Sequence, residues 1–501
     1  MTDQLAALPI FGRGFTQKSP IVTDELLVNC YREPEDADQD KSAMPLYGTL
    51  GCQFFANIAT SGALPTGYGD LLIRGRRRVG NYIYLVVGSS SGAAGHPFST
   101  VVVIDAGGSI GYIGGTQVIL TNQGRVAMSD NGFQVIIVDG TAGYTFPIDA
   151  NGYVGLNVVT KIASAGFPNG ATVVDFINGY FIVDNPLATP QGRFNWSKQY
   201  DGTTWNSLDY NTAESNPDPL VNIKVNFGQI FLLGTETTEV WTASGDATIF
   251  RRVGAAGIEW GLAAKWSVDK YSTNSLIFLG KNKLGKTQLI KLDGYTATPI
   301  ASPDLTAALN KRNPASATGF SYALDAHSFY QINFPDLSLL YDDASNSITQ
   351  VQYGLSGRHL AEMMIELNNI LYVTDYSAGI LYKFLPDCYT DNGQPIIRTV
   401  QSKHLFNAYN FISINELYLD METGVGLDGG VQGSNPQVMC QWSKDGGRTW
   451  GNQIWQSFGA AGATQQRAVW RNLGRARDIL LRFQISDPVK VVIAGAGARV
   501  S

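Results

Sequence analysis

Three stretches of this chain place reactive residue types at spacings that chemistry uses, and each depends on the element that would hold it. Gly280-Lys281-Asn282-Lys283-Leu284-Gly285-Lys286-Thr287 satisfies G-x-x-x-x-G-K-[ST] in full. In a true phosphate loop of that form, glycine-rich backbone wraps the phosphates and feeds a helix whose N-terminal amides hold them. Here Gln288-Leu289-Ile290-Lys291-Leu292 alternates and is broken by Asp293-Gly294, so a returning strand is expected and the segment reads as a hairpin turn. Gly88-Ser89-Ser90-Ser91-Gly92 has the G-x-S-x-G spacing of a nucleophile elbow, which needs a strained strand-to-helix turn. Ala93-Ala94-Gly95-His96-Pro97 cannot open that helix, and a flexible Gly/Ser loop is the expectation. His96, His327, His359 and His404 show no metal-ligand spacing to one another or to the cysteines. No catalytic residue, cofactor or metal ligand is assigned.

The third stretch is structural. Ser443-Lys444-Asp445-Gly446-Gly447-Arg448-Thr449-Trp450 has the form S-x-D-x-G-x-T-W and resembles the Asp-box of sialidases and related propellers. In that box Ser443 and Asp445 would satisfy backbone amides of a tight turn, beside Thr449. Gly447 would allow a positive φ, and Trp450 would pack beneath the hairpin. Asn195-Trp196-Ser197-Lys198-Gln199-Tyr200-Asp201-Gly202-Thr203-Thr204-Trp205 is a stretched relative, with two extra residues between Ser and Asp. A sialidase would also need an arginine triad around a Tyr/Glu pair, and no such context is visible. The alternative of a glycan-binding or glycan-cleaving propeller rests on the box and on the many carboxylate pairs that 42 Asp and Glu allow.

The elements that must position these turns repeat. Seven short apolar runs, each with Gly, Asn or another turn former at its border, begin at Tyr82, Gln134, Tyr180, Ile230, Leu276, Phe329 and Ile370. They are rich in β-branched and aromatic residues and too short for buried helices. A strand returning about every 40–50 residues is what four-stranded propeller blades require. The expectation is an all-β chain: a β-propeller of seven blades over residues 61–390, an N-terminal arm or partial blade over 1–60, and a β-sandwich-like C-terminal domain over 391–501. In that last part the strands expected over 411–419, 438–442, 479–485 and 489–493 alternate apolar and polar residues, as a half-buried antiparallel sheet would.

The 501 residues carry 55 Gly, 20 Pro and 55 aromatics, with a net charge of −6. An acidic balance argues against tight binding to phosphate backbones. Two basic clusters, Arg74, Arg76, Arg77, Arg78 and Arg467, Arg471, Arg475, Arg477, read as solvated loops or subunit contacts. The acidic residues 33–40 read as an exposed loop. No apolar run of about 18 residues and no basic-then-apolar leader is present, so neither a membrane span nor a signal peptide is expected. Cys30, Cys52, Cys388 and Cys440 are far apart and read as reduced thiols.

Further stretches, in order, resemble the tail nozzle proteins of short-tailed phages, also called packaged-DNA stabilisation proteins. They are Leu27-Val28-Asn29-Cys30-Tyr31, Met44-Pro45-Leu46-Tyr47-Gly48, Val173-Val174-Asp175-Phe176-Ile177-Asn178-Gly179-Tyr180-Phe181, Phe194-Asn195-Trp196-Ser197, Ala213-Glu214-Ser215-Asn216-Pro217-Asp218, Glu239-Val240-Trp241, Gly254-Ala255-Ala256-Gly257-Ile258, Trp470-Arg471-Asn472-Leu473-Gly474-Arg475-Ala476-Arg477-Asp478 and Ser486-Asp487-Pro488. The resemblance implies a structural virion protein, assembled in the host bacterial cytoplasm into the phage tail. Six copies would form a homohexameric ring below the portal and adaptor, with tail needle and tailspike as further neighbours. Such a ring retains packaged DNA and conducts it during ejection, without sequence-specific binding. Arg471, Arg475 and Arg477 are then expected at a subunit or adaptor interface.

Overall fold

The computed structural model describes residues 4–8, 25–34, 44–60, 71–89, 99–113, 119–155, 158–213, 218–244, 249–300, 302–408 and 410–500. Ser90, His96, acidic residues 35–40, residues 61–70 and residues 214–217 of the family-like stretch lie outside them.

Each of the seven apolar runs takes the second strand position of an antiparallel blade; the blades have four strands except blade 5, where Gly261–Leu262 and Asp269–Ser272 both pair with the run. Blade 1 is Leu71–Val79, Tyr82–Ser89, Thr100–Asp105 and Ile110–Ile113. Blades 2 to 4 have their second strands at Gln134–Val138, Tyr180–Asp184 and Gln229–Gly234. Blades 5 to 7 follow with Ser275–Lys281, His327–Phe334 and Ile370–Asp375. The runs are continuous because each such strand is buried on both faces. In blade 2, Val135 and Ile137 pack toward blade 1 while Ile136 and Val138 pack toward blade 3. Seven separate apolar clusters fill the seven seams, the last joining blade 7 to blade 1 through Ile365, Tyr372, Ile73 and Leu85. The helix Pro303–Lys311, capped by Ser302, adds Leu305 and Ala308 to the seam between blades 5 and 6. No helix among the described residues is long and apolar enough to cross a membrane.

The ring closes with a strand from far upstream. Blade 7 takes its outermost strand, Gly51–Asn57, from the N-terminal region, paired antiparallel with Ile380–Leu385. Gly51 is required there, since a Cβ would lie 2.2 Å from the carbonyl oxygen of Cys388.

The C-terminal domain is a sandwich of two sheets. One contains Leu26–Val28, Arg398–Gln401, Asp478–Ile485, Gln437–Ser443 and Ile454–Ser457; the other contains Cys30–Arg32, Leu46–Gly48, Val492–Val500, Ile412–Met421 and Ala468–Ala476, with Gln4–Leu8 on Val492–Val500. Trp470, Leu417, Phe483 and Ile479 lie in the core between them. The strand expected over 489–493 instead begins at Val492 and runs to Val500, because Pro488 and a turn closed by the Val489 amide on the Asp487 carbonyl delay its start.

Propeller and sandwich share a sheet. Leu26–Val28 pairs in parallel with the outer strand of blade 6, Ser347–Val351, at Val28 and Gln350, and antiparallel with Arg398–Gln401. Asn29, at φ 54°, fixes the junction. Its side-chain Nδ2 donates to the carbonyls of Gln352 (3.0 Å) and Ile397 (2.9 Å), while its Oδ1 accepts the Gln352 backbone amide (2.8 Å).

Candidate functional site

The phosphate-loop pattern folds as a hairpin turn. Gly280 pairs with Gln288 and Lys281 with Thr287, and the Asn282 side chain accepts the amides of Leu284 (3.1 Å) and Lys286 (3.0 Å). Those amides are therefore spent inside the turn, and no helix follows to hold a phosphate.

Around residue 445 the side chains form a closed turn at the end of strand Gln437–Ser443. Asp445 Oδ1 accepts the amides of Arg448 (3.1 Å) and Thr449 (2.9 Å), and Oδ2 accepts the Thr449 hydroxyl (2.6 Å). Ser443 Oγ donates to Asp445 Oδ1 (2.7 Å) and accepts the Gly447 amide (2.9 Å). Gly447 sits at φ 86°. Thr449, its amide and Ser443 together hold the Asp445 carboxyl down at about 2. Trp450 is stacked by the Arg482 guanidinium at 3.8 Å, an anchor the sequence pattern does not name. In the stretched relative, Asp201 keeps the Thr203 amide (2.9 Å), but Ser197 has turned inward to accept the Phe181 amide (3.1 Å). In both turns the Asp of the box is spent on holding the turn itself.

Of the basic clusters, the first is not a solvated loop. It lies on Leu71–Val79, the innermost strand of blade 1, where Arg74 is 1 % exposed. Arg74 donates to the Ser99 hydroxyl (2.7 Å) and the carbonyls of Thr121 (2.6 Å) and Gly124 (2.6 Å), which offset its burial. Arg471, Arg475 and Arg477 are exposed on or beside Ala468–Ala476. Arg471 meets Glu416 at 3.0 Å, and Arg475 and Arg477 both lie over the half-exposed ring of Phe411, at 4.6 and 4.7 Å.

Strands from all seven blades converge on a central cavity of about 150 Å³. Arg76 and Arg77 from blade 1, Arg125 at the entry to blade 2 and Lys224 from blade 4 face it, against one lining carboxylate among the described residues, Asp269 of blade 5. Burial pulls the Arg76, Arg125 and Lys224 pKa values down, with Asp269 opposing at each. A lone lining carboxylate is not the acid and base pair that glycoside hydrolysis uses. Of this set the sequence reading picked out Arg76 and Arg77 but not Arg125, Lys224 or Asp269. Their only shared signal was position, since Arg76, Lys224 and Asp269 each lie on the strand just ahead of an apolar run.

The fold also gathers Cys52, His359 and Asp391, whose ligand atoms lie within 4.8 Å of one another, all buried. His359 Nδ1 accepts the Ala361 amide at 3.2 Å, so its proton resides on Nε2, which faces Asp391 Oδ2 at 3.8 Å. A metal would need that nitrogen bare. Burial raises the Cys52 thiol and the Asp391 carboxyl and lowers His359, so all three favour their neutral forms. The Cys52 amide, donating to Asp391 at 3.0 Å, ties this knot to the closing strand of blade 7.

Comparison with known proteins places the chain. Residues 104–388 match the family model described as bacteriophage P22 Gp10, beta-propeller, and residues 397–501 match bacteriophage P22 Gp10, beta-sandwich. No curated protein matches. Similar solved structures include BamB from Moraxella catarrhalis, at 12% identity over 72% of this chain and 98% of that one with a TM-score of 0.38. Another is the β-propeller domain of the Trilobed protease from Pyrococcus furiosus, at 9% identity over 68% and 94% with a TM-score of 0.37. Neither is similar enough to bear on function. The two family matches together span both domains, and the chain belongs to the P22 Gp10 family of phage tail nozzle and packaged-DNA stabilisation proteins.

Proposed function

We propose that this chain is the structural subunit of a tail nozzle, six copies of which form a ring below the portal and adaptor. The ring retains packaged DNA, with the tail needle's help, and conducts it during ejection; tailspikes are its neighbours and no reaction is catalysed. The observation that carries this reading is the match of both the propeller and the sandwich to one phage family.

Two physical features support it. The sheet shared by blade 6 and the sandwich leaves no flexible linker at that point, which suits a subunit that must transmit force without bending. The chain's net charge of −6 is repeated in every copy, and an acidic wall repels DNA and limits friction as it passes. Arg471, Arg475 and Arg477 take the subunit or adaptor interface, where guanidinium forks suit partner carboxylates.

Native mass spectrometry of the purified chain, alone and mixed with an adaptor–portal complex, tests the reading. A species of six chains, free or added to the adaptor, is expected. A chain that stays monomeric in both conditions overturns it. Reversing all three arginines to Glu should abolish the ring or its docking, and unchanged assembly would remove them from the interface.

A further inference from the structure

We propose that the central channel of the propeller binds one small tetrahedral oxyanion, of the phosphate or sulfate class, between Arg76 and Lys224. The argument starts from which charges in the channel are already matched. Arg77 is held by Asp130 at 2.5 Å and Arg125 by Glu362 at 3.0 Å. Asp269 spends its oxygens on the amide and hydroxyl of Ser321 (2.9 and 3.2 Å) and the Lys270 amide (3.0 Å). Asp175, the other acid that acts on Lys224, accepts the amides of Val225 (2.7 Å) and Phe176 (2.9 Å). Among the described residues no carboxylate therefore lies within ion-pair reach of Arg76 or Lys224, although both line the cavity. Arg76 Nε is buried and has no hydrogen-bond partner.

Arg76 and Lys224 are half-buried, their charges have no ion-pair partner among the described residues, and Asp269 compensates them only at a distance. A planar guanidinium beside a mobile ammonium offers more donors than a halide can use, and an oxyanion can accept a fork and a point charge together. The cavity, at about 150 Å³, holds several waters or one such ion but excludes a nucleic acid strand or a helix. It is a site within each chain and is independent of ring formation.

Isothermal titration calorimetry of the whole chain with sodium phosphate and sodium sulfate, each against sodium chloride at matched ionic strength, tests the proposal. One saturable site per chain for the oxyanions, and none for chloride, is expected. The double variant Arg76→Gln/Lys224→Gln should bind about tenfold or more weakly, while the outer-surface variant Arg471→Gln should bind as the parent does. Absence of saturable heat from the parent overturns the proposal, as does unchanged affinity in a double variant with a native circular dichroism spectrum. Should the double variant fail to fold, Arg76→Lys keeps the charge without the fork, and undiminished affinity there overturns the proposed fork contact.

Discussion

The propeller and the sandwich are both antiparallel β-structure, yet they bury their strands in opposite ways. In blade 2 every residue of Val135-Ile136-Ile137-Val138 is buried, alternate side chains entering different seams. In the sandwich, Ile412–Met421 turns its buried positions to one core and leaves the rest half exposed. The connections differ as well. Blades 1 to 6 are made of strands adjacent in sequence, whereas the sandwich joins Gln4–Leu8 to Val492–Val500 and Leu26–Val28 to Arg398–Gln401. The N-terminal region therefore matters least to the blades nearest it and most to elements hundreds of residues away.

Removing residues 1–60 should have the largest effect of any change considered. It strips the outer strand from blade 7, uncovering the edge of Ile380–Leu385, and takes strands from both sandwich sheets. Loss of cooperative unfolding and aggregation through bare edges are expected, measured by thermal circular dichroism and size-exclusion chromatography. A soluble truncated chain with an unchanged transition would show that the propeller does not need that strand.

Next come cavities cut into the two kinds of core. Trp470→Ala in the sandwich and Phe181→Ala in the seam between blades 2 and 3 each remove a fully buried ring. Each should cost about 3–5 kcal/mol in urea titrations. Because blade 6 and the sandwich share a sheet, Trp470→Ala should shift the whole transition; a separate early phase for the sandwich alone would mean that the shared sheet does not couple them. Asn29→Ala attacks the coupling itself, leaving two carbonyls and an amide at a part-buried junction without their partner and placing alanine at φ 54°. A loss of about 3 kcal/mol is expected, and Asn29→Gly should recover roughly 1 kcal/mol of it by removing the backbone strain.

A smaller effect appears with pH. Burial alone would lower the His327 pKa, but hydrogen bonds to Asp342 (2.9 Å) and Glu33 (2.8 Å) outweigh it and leave the pKa above the ordinary 6.5. A raised folded pKa means that this contribution is complete below pH 6.5 and is lost as pH climbs through the folded value. The melting temperature of the parent, relative to His327→Gln, should thus fall as pH rises above 6.5. A constant difference would mean that the Glu33 contact does not form in solution.

Legibility in the sequence follows the same division. The seven runs could be read because two-sided burial demands unbroken apolar strands, a signal contained within a few residues. The sheet order of the sandwich could not, because its pairings join opposite ends of the chain. Val492–Val500, central in its sheet, holds Ala494-Gly495-Ala496-Gly497-Ala498, residues with poor strand propensity that only the neighbouring strands make extended. Arg74 was misread for a related reason: a charged side chain looks solvated until its acceptors, 25 to 50 residues away, are known. The channel was the least visible, since its lining is spread over all seven blades and no blade contributes more than four of its residues.

The turn around Asp445 should show the smallest effect and the most local one. Its carboxyl is held at about 2 by the Thr449 hydroxyl and amide and by Ser443. A depressed pKa makes this contribution present above the ordinary value of 3.8 and lost as pH falls toward 2. Asp445→Asn removes the charge and one acceptor, so the Arg448 and Thr449 amides should exchange faster with solvent while the global transition stays put. Trp450 keeps its stacking on Arg482 in that variant, which holds the end of the turn on the sheet. If Asp445→Asn instead lowered the melting temperature as much as Asn29→Ala does, the turn would have to be counted with the buried junction rather than with the surface.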